Sequence, residues 1–388
     1  MSRTLRSDSR LVVKRKGRTG TRSLTFPHHP VPKCLACLIL ALFLFRRTYT
    51  VETRKVLFKE EVVDAYLFDI LAVTESRIRA TRRGVSQQQY FPPADQHCSL
   101  SLGEVKLMRW DKRHLVCYDR DYARIFQRAG SLQGVNLLVC DQDCVRSPRH
   151  VFTVAKSRSI ENAVNRTVTL LPLNTGRHFR NVPAALRDGL TYKKKLPVAI
   201  WRGSTTGLCW DVPINEKMAA DRTECARRNL VTTWAKKGFD NIDIGLTNIV
   251  QLSKKMESKY SSFVKKEIPI HDILQHRYII SVEGNDVATN LKWALASNSV
   301  VFMPPPTRES IILESKLSPW IHYVPLLHNF SDLQVKIKYC DDNPLVCQNI
   351  SSTATKFMLP FSTRSNIFSL GARILEAFLI EMKGLGVF

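Results

Sequence analysis

Beyond about residue 130, short apolar runs rich in β-branched residues alternate with stretches of helical period. Gly134 to Asp141 is an apolar run of strand length, and Val151 to Ala155 and Thr167 to Leu173 are similar. Leu196 to Trp201 is another, with Lys193, Lys194 and Lys195 before it. The period then changes. Glu224 to Lys237 predicts a helix, Ile242 to Gly245 a short strand, Ile270 to His276 a helix and Arg277 to Val282 a strand. Ala288 to Asn298 predicts a helix, Ser299 to Met303 a strand, Glu309 to Leu317 a helix and Ile321 to Pro325 a strand. Such alternation predicts a parallel sheet with crossover helices. The expected class is α/β, with one half from about 196 to 350 and a less regular half before it. The last helix, Asn366 to Lys383, is apolar on one side and is expected to pack back on the amino-terminal half.

The amino terminus has a different texture. Residues 1–33 carry nine Lys or Arg and Asp8 as the sole acid; an unbroken apolar run follows from Cys34 to Phe45, then Arg46 and Arg47. Twelve residues of helix cover about 18 Å, short of the roughly 30 Å hydrocarbon core. The basic flank favours a cytoplasmic amino terminus, and no small-residue cleavage site follows. The preferred reading is an uncleaved signal anchor over 34–47 with a short, snorkelled span; a cleaved signal is the alternative. The segments read as a basic tail (1–33), an anchor (34–47), a stem of entry helices (48–96), a less regular α/β domain (97–195), a regular α/β domain (196–360) and a returning helix (361–388).

Composition narrows the class. The chain has 388 residues, 44% hydrophobic and 24% charged, which fits a globular enzyme. Its formal charge of +24 suits a polyanionic or phosphate-bearing partner, or a solvated basic surface. No recognisable nucleic-acid module or basic–aromatic interleaving appears, so nucleic acid is not expected as a partner. Cysteines such as Cys98, Cys117, Cys140, Cys144, Cys209 and Cys225 permit disulfides in an oxidising lumen, without specifying pairs. Sequons at Asn165, Asn329 and Asn349 agree with a lumenal body. A location in the membrane of the Golgi or endoplasmic reticulum, catalytic part lumenal, is expected.

Three strand-end loops carry candidate chemistry. Trp201-Arg202-Gly203-Ser204-Thr205-Thr206-Gly207 packs two glycines, hydroxyls and an arginine after a strand. Gly203 and Gly207 would admit a phosphate and Arg202 would fork onto it; an ordinary polar turn is the other reading. Glu283-Gly284-Asn285-Asp286 leads into a helix carrying Thr289 and Lys292, whose start would form an anion site. Alternatively Asp286 caps that helix and Lys292 is solvated. After Pro304-Pro305-Pro306, the carboxylates Glu309 and Glu314 either meet ribose hydroxyls or serve the helix and surface. His271 and His322, in apolar segments, are expected to be packed.

Together these loops, with Ser297 to Phe302 and Pro319-Trp320-Ile321-His322-Tyr323-Val324-Pro325, resemble the glycosyltransferase family 90 over about residues 100–360, most specifically over 281–325. The resemblance implies a GT-B fold, two Rossmann-like domains facing a cleft, and inverting transfer from a UDP-sugar without metal or other cofactor. Glucose or xylose would pass to a hydroxyl of a glycan or glycoprotein. It implies that Arg202, Ser204, Arg227, Arg228, Thr289 and Lys292 hold the diphosphate and that Glu314 lies near the nucleoside. Gly203, Gly284 and Asp286 belong to the same donor-binding set. Asn290 stands where the animal O-glucosyltransferases carry arginine, so their acceptor preference is not carried over. An inverting reaction needs a carboxylate base. Asp143 aligns with the family's aspartate, and Asp141 is next. Asp141 and Asp143 also suit a divalent metal, the pattern of a metal-dependent transferase. An inactive sugar-nucleotide or glycan binder on the same fold is the third reading.

Overall fold

Along Leu196–Ser204 the side chains alternate between two hydrophobic cores: Ile200 enters one, Ala199 and Trp201 the other. The same division holds in the neighbouring strands, with Ile279 against Tyr278 and Ile280, and Val301 against Val300 and Phe302. Strands buried on both faces are what an all-parallel sheet requires. The computed structural model describes residues 98–102, 105–109, 118–129, 136–140, 153–160, 168–207 and 225–384. The basic tail, the apolar run at 34–47 and the stem lie outside them, as do Asp141 and Asp143. No helix of the described residues is long and apolar enough to cross a membrane.

The first sheet comprises β1 (Cys98–Leu102), β2 (Val105–Arg109), β3 (Asn136–Cys140), β4 (Thr153–Ala155) and β6 (Val168–Leu170), in the order β1-β2-β3-β4-β6. β1 and β2 are antiparallel, and the other pairings are parallel. The second sheet holds β7 (Leu196–Ser204), β8 (Ile242–Asn248), β9 (His276–Ile280), β10 (Val300–Met303) and β12 (Val324–Pro325), in the order β12-β10-β9-β7-β8, all parallel. Counted within this sheet, the order is 2-1-3-4-5. The winding direction therefore reverses between β7 and β9, and a crevice opens beyond their carboxyl ends.

A short antiparallel ribbon links the two parts. β5 (Ser157–Ser159), which follows β4, pairs with β11 (Arg308–Ser310), which follows β10. Arg158 lies opposite Glu309 and bonds it at 2.7 Å, both side chains buried. The long last helix, Arg364–Gly384, also packs across: a side chain at Gly371 would meet Pro172 at 2.7 Å and Ile125 at 3.3 Å. Arg124 and Arg128, on and just after the helix Asp119–Phe126, lie over the Phe368 ring.

Three helices differ from the expectation; that expected over Ile270–His276 is the single turn Ile270–Ile273, and His276 begins β9. The segment expected as a helix over Glu309–Leu317 is β11 and a single 3-10 turn, Glu314–Lys316. Ile311, Ile312 and Leu313 are all buried, so the apolar spacing serves a packed loop, with Leu313 at φ 54°. The helix expected over Ala288–Asn298 is confined to Leu291–Leu295. Asn290 holds its start back: its amide donates to Ile280 O at 2.9 Å and its oxygen accepts from the Ser281 hydroxyl at 3.0 Å. The chain from Ile280 to Asn290 is thereby closed into a loop at the crevice.

Candidate active site

Arg227 sits in the first turn of the helix Ala226–Trp234, which returns from β7 to β8. Its guanidinium reaches across the crevice. Nε donates to the Glu283 carbonyl at 3.1 Å and Nη2 to the Val282 carbonyl at 3.1 Å, both in the loop after β9. Nη1 donates to the Thr206 hydroxyl at 2.9 Å, in the loop after β7. Ser204 Oγ lies 3.0 Å from Thr206 Oγ1. All these partners are neutral, and no carboxylate among the described residues forms an ion pair with Arg227. Burial, then repulsion by the exposed Arg177, brings the guanidinium down to about 10, with Glu283 opposing.

Gly284 makes this approach feasible, and Gly207 flanks it. A Cβ at Gly284 would lie 2.9 Å from Arg227 Nη2. Gly207 has φ +153°, and a Cβ there would meet the Glu283 carbonyl at 3.6 Å. Glu283 joins a third loop to the pair: its carboxylate accepts the Thr307 and Arg308 amides at 3.0 and 3.1 Å. Burial raises that carboxyl, and the Thr307 and Arg308 donors act against the shift. Beside these loops lies a small cavity lined by Val282, Glu283, Met303, Pro304 to Pro306 and His328.

A second cationic cluster lies at the other end of the same loop. Lys156, between β4 and β5, bonds Asp286 at 2.6 Å, and both side chains are buried. Burial alone would raise the Asp286 carboxyl, but Lys156 and the Ser157 hydroxyl bring it down to about 2. Asp286 therefore does not cap the following helix; it fastens the loop to the β4–β5 corner. Lys292 is 1% exposed and lies 3.2 Å from Glu314, itself equally buried. Glu314 also accepts the Ser310 amide and hydroxyl. His178 lines a small cavity together with Lys156 and Lys292. Its Nδ1 is buried without a partner among the described residues, and burial and the two lysines hold its pKa well below the ordinary value.

The expected donor-binding residues thus divide. Ser204, Arg227 and Gly284 converge at the crevice. Gly203 allows the Trp201 indole to lie within 2.5 Å of where a Cβ would stand. Arg202 turns to the sheet edge, pairing with Asp243 at 2.7 Å and donating to Lys266 O at 3.3 Å. Arg228 is buried and bonded to Tyr260 in the core beneath the helix. Thr289 is half-buried just before Asn290. Arg202 and Lys292 are held by different carboxylates, Asp243 and Glu314. His271 is exposed, because its one-turn helix points it outward, whereas His322 Nδ1 accepts the Ser318 amide. Asp141 and Asp143 fall outside the described residues, among which no cluster of His, Cys, Asp and Glu is placed to hold a metal. Sequence reasoning missed Lys156, Arg177 and His178. The run Asn174-Thr175-Gly176-Arg177-His178, directly after an apolar strand, is the signal that points to the last two.

The sequence profile described as Glycosyl transferase family 90 matches residues 180–378, just over half of the chain. The chain belongs to this family. The family match contains β7 to β12, Arg227 and both crevice loops; Lys156, Arg177 and His178 lie before it. An O-glucosyltransferase LpsA of Dichelobacter nodosus is 32% identical over 209 residues, 53% of this chain and 55% of that protein. Protein O-glucosyltransferase 2 of Danio rerio is 31% identical over 155 residues, 39% of this chain and 30% of its own length. Uncharacterized protein 027R of Frog virus 3 is 28% identical over 198 residues, covering 48% and 20%. The chain therefore spans from a fifth to just over half of these relatives.

Proposed function

We propose that the protein is an inverting glycosyltransferase that binds a UDP-sugar with its diphosphate against Arg227, at the reversal point between β7 and β9. The observation that carries this reading is a largely buried guanidinium held by neutral acceptors, close to a second arginine and flanked by two glycines. Such a cation is poised for an anion. Ligands of open parallel sheets bind at this point of the winding. Family membership and the O-glucosyltransferase relatives support the reaction class. The donor lies between two Rossmann-like halves of GT-B type. The transferred sugar is glucose or xylose, and the acceptor is a hydroxyl of a glycan or glycoprotein. Asp143, with Asp141 next to it, supplies the base, and no metal takes part.

The disulfide between Cys340 and Cys347, and the disulfide-bonded state of Cys225, support an oxidising lumen, with residues 34–47 as the anchor. The test is a UDP-release assay of the full chain against a panel of UDP-sugars. Release from one donor, undiminished by chelator and abolished by Asp143→Asn with UDP affinity kept, is expected. Loss of release with chelator would transfer the role of Asp141 and Asp143 to metal binding. Binding without release under every condition would leave a sugar-nucleotide binder.

A further inference from the structure

Two of the three sequons lie in described residues, and the fold treats them differently. Asn349 is on the helix Pro344–Met358, and the hydroxyl-bearing residue of its sequon, Ser351, is buried with its Oγ 3.4 Å from Ser297 O. Asn329 is on the loop between β12 and the helix Leu333–Asp342. Asn329 and Ser331 are both exposed. Between them Phe330 is wholly buried, with φ 59°, and its carbonyl accepts the Trp234 indole N–H at 2.7 Å. The middle residue pins the loop to the core, and its two neighbours project from it. Asn329 Oδ1 accepts the Ser331 amide at 3.1 Å and the Ser331 hydroxyl at 2.9 Å. The Asn329 amide nitrogen has no partner among the described residues.

We infer that Asn329 is an N-glycosylation site presented by the folded protein, in preference to Asn349. The inference rests on the lumenal reading above. The donor is a lipid-linked oligosaccharide. The side-chain nitrogen forms a bond to the anomeric carbon and loses a proton, while the bond from that carbon to the lipid diphosphate breaks and the diphosphate leaves with the electron pair. The hydroxyl that the sequon requires is already bonded to the carboxamide that reacts. His328, the preceding residue, lines the cavity beside the crevice, so the glycan stands at the rim of that cavity.

The experiment expresses the full chain in a eukaryotic secretory cell, with an unrelated sequon appended after Phe388 as a reporter of lumenal entry. Glycosidase treatment and peptide mapping then read each asparagine. The expected result is a modified reporter, Asn329 occupied above Asn349, and loss of one glycan's mass in Asn329→Asp and in Ser331→Ala. Asn329→Asp keeps the oxygen that Ser331 bonds, so the loop retains its shape. A modified reporter with a bare Asn329, or with Asn349 occupied equally, overturns the inference. A bare reporter removes the lumenal reading and this site with it.

Discussion

Arg227 and Arg228 adjoin in sequence and end in different surroundings. One helical step of about 100° carries the first to the crevice and the second to Tyr260 inside the core. Charge alone therefore does not distinguish these cations; their partners do. Arg202, Lys156 and Lys292 each face a carboxylate, whereas Arg227 faces carbonyls and hydroxyls. The buried titratable groups also make a prediction for acid. Burial, with Lys292 and Lys156, holds His178 well below the ordinary imidazole value of about 6.5, so the folded state binds fewer protons than the unfolded chain, and stability falls as pH drops through that range. Asp286, at about 2, contributes stability above the unfolded carboxyl value of about 3.9 that is lost as pH falls toward 2. Denaturant unfolding followed from pH 7 to 3 should show a continuous decline, and His178→Gln should flatten its upper part. An unchanged slope in that variant would remove His178 from the linkage.

At the scale of elements, the β5–β11 ribbon joins the two parts, and its buried Arg158–Glu309 pair is its charged tie. Removing one partner of such a pair strands the other charge, at a cost of about 3–5 kcal/mol. Arg158→Met should lose stability of that order in urea unfolding, and replacing both residues with apolar ones should recover much of it. The strands of the second sheet were legible because doubly buried strands read as continuous apolar runs, as in Val300 to Met303. The ribbon was not. Glu309 to Leu317 has helical spacing, and its pairing with Ser157–Ser159 is a contact 151 residues away in sequence for Arg158 and Glu309. No local pattern encodes it. Likewise Asp286 looked like a cap because capping is local, whereas its partner Lys156 comes from the other part of the fold.

At the scale of the whole molecule, the site depends on an order of strands. The reversal between β7 and β9 opens the crevice, and Arg227 lies across it because the helix after β7 begins there. The loops Ser204–Gly207 and Glu283–Asp286 stand out in the sequence by glycine, hydroxyl and charge content. Of the cations that the resemblance assigned to them, only the winding shows that Arg227 is the one they share. The most direct measurement is a calorimetric titration of the full chain with UDP and with uridine, in the wild type and in Arg227→Ala. Loss of a charge-assisted contact is worth about 1.5–3 kcal/mol. UDP should bind more tightly than uridine in the wild type, and Arg227→Ala should weaken UDP by roughly ten- to one-hundred-fold while leaving uridine nearly unchanged. Equal UDP affinity in the two proteins would rule out Arg227 as the diphosphate's partner.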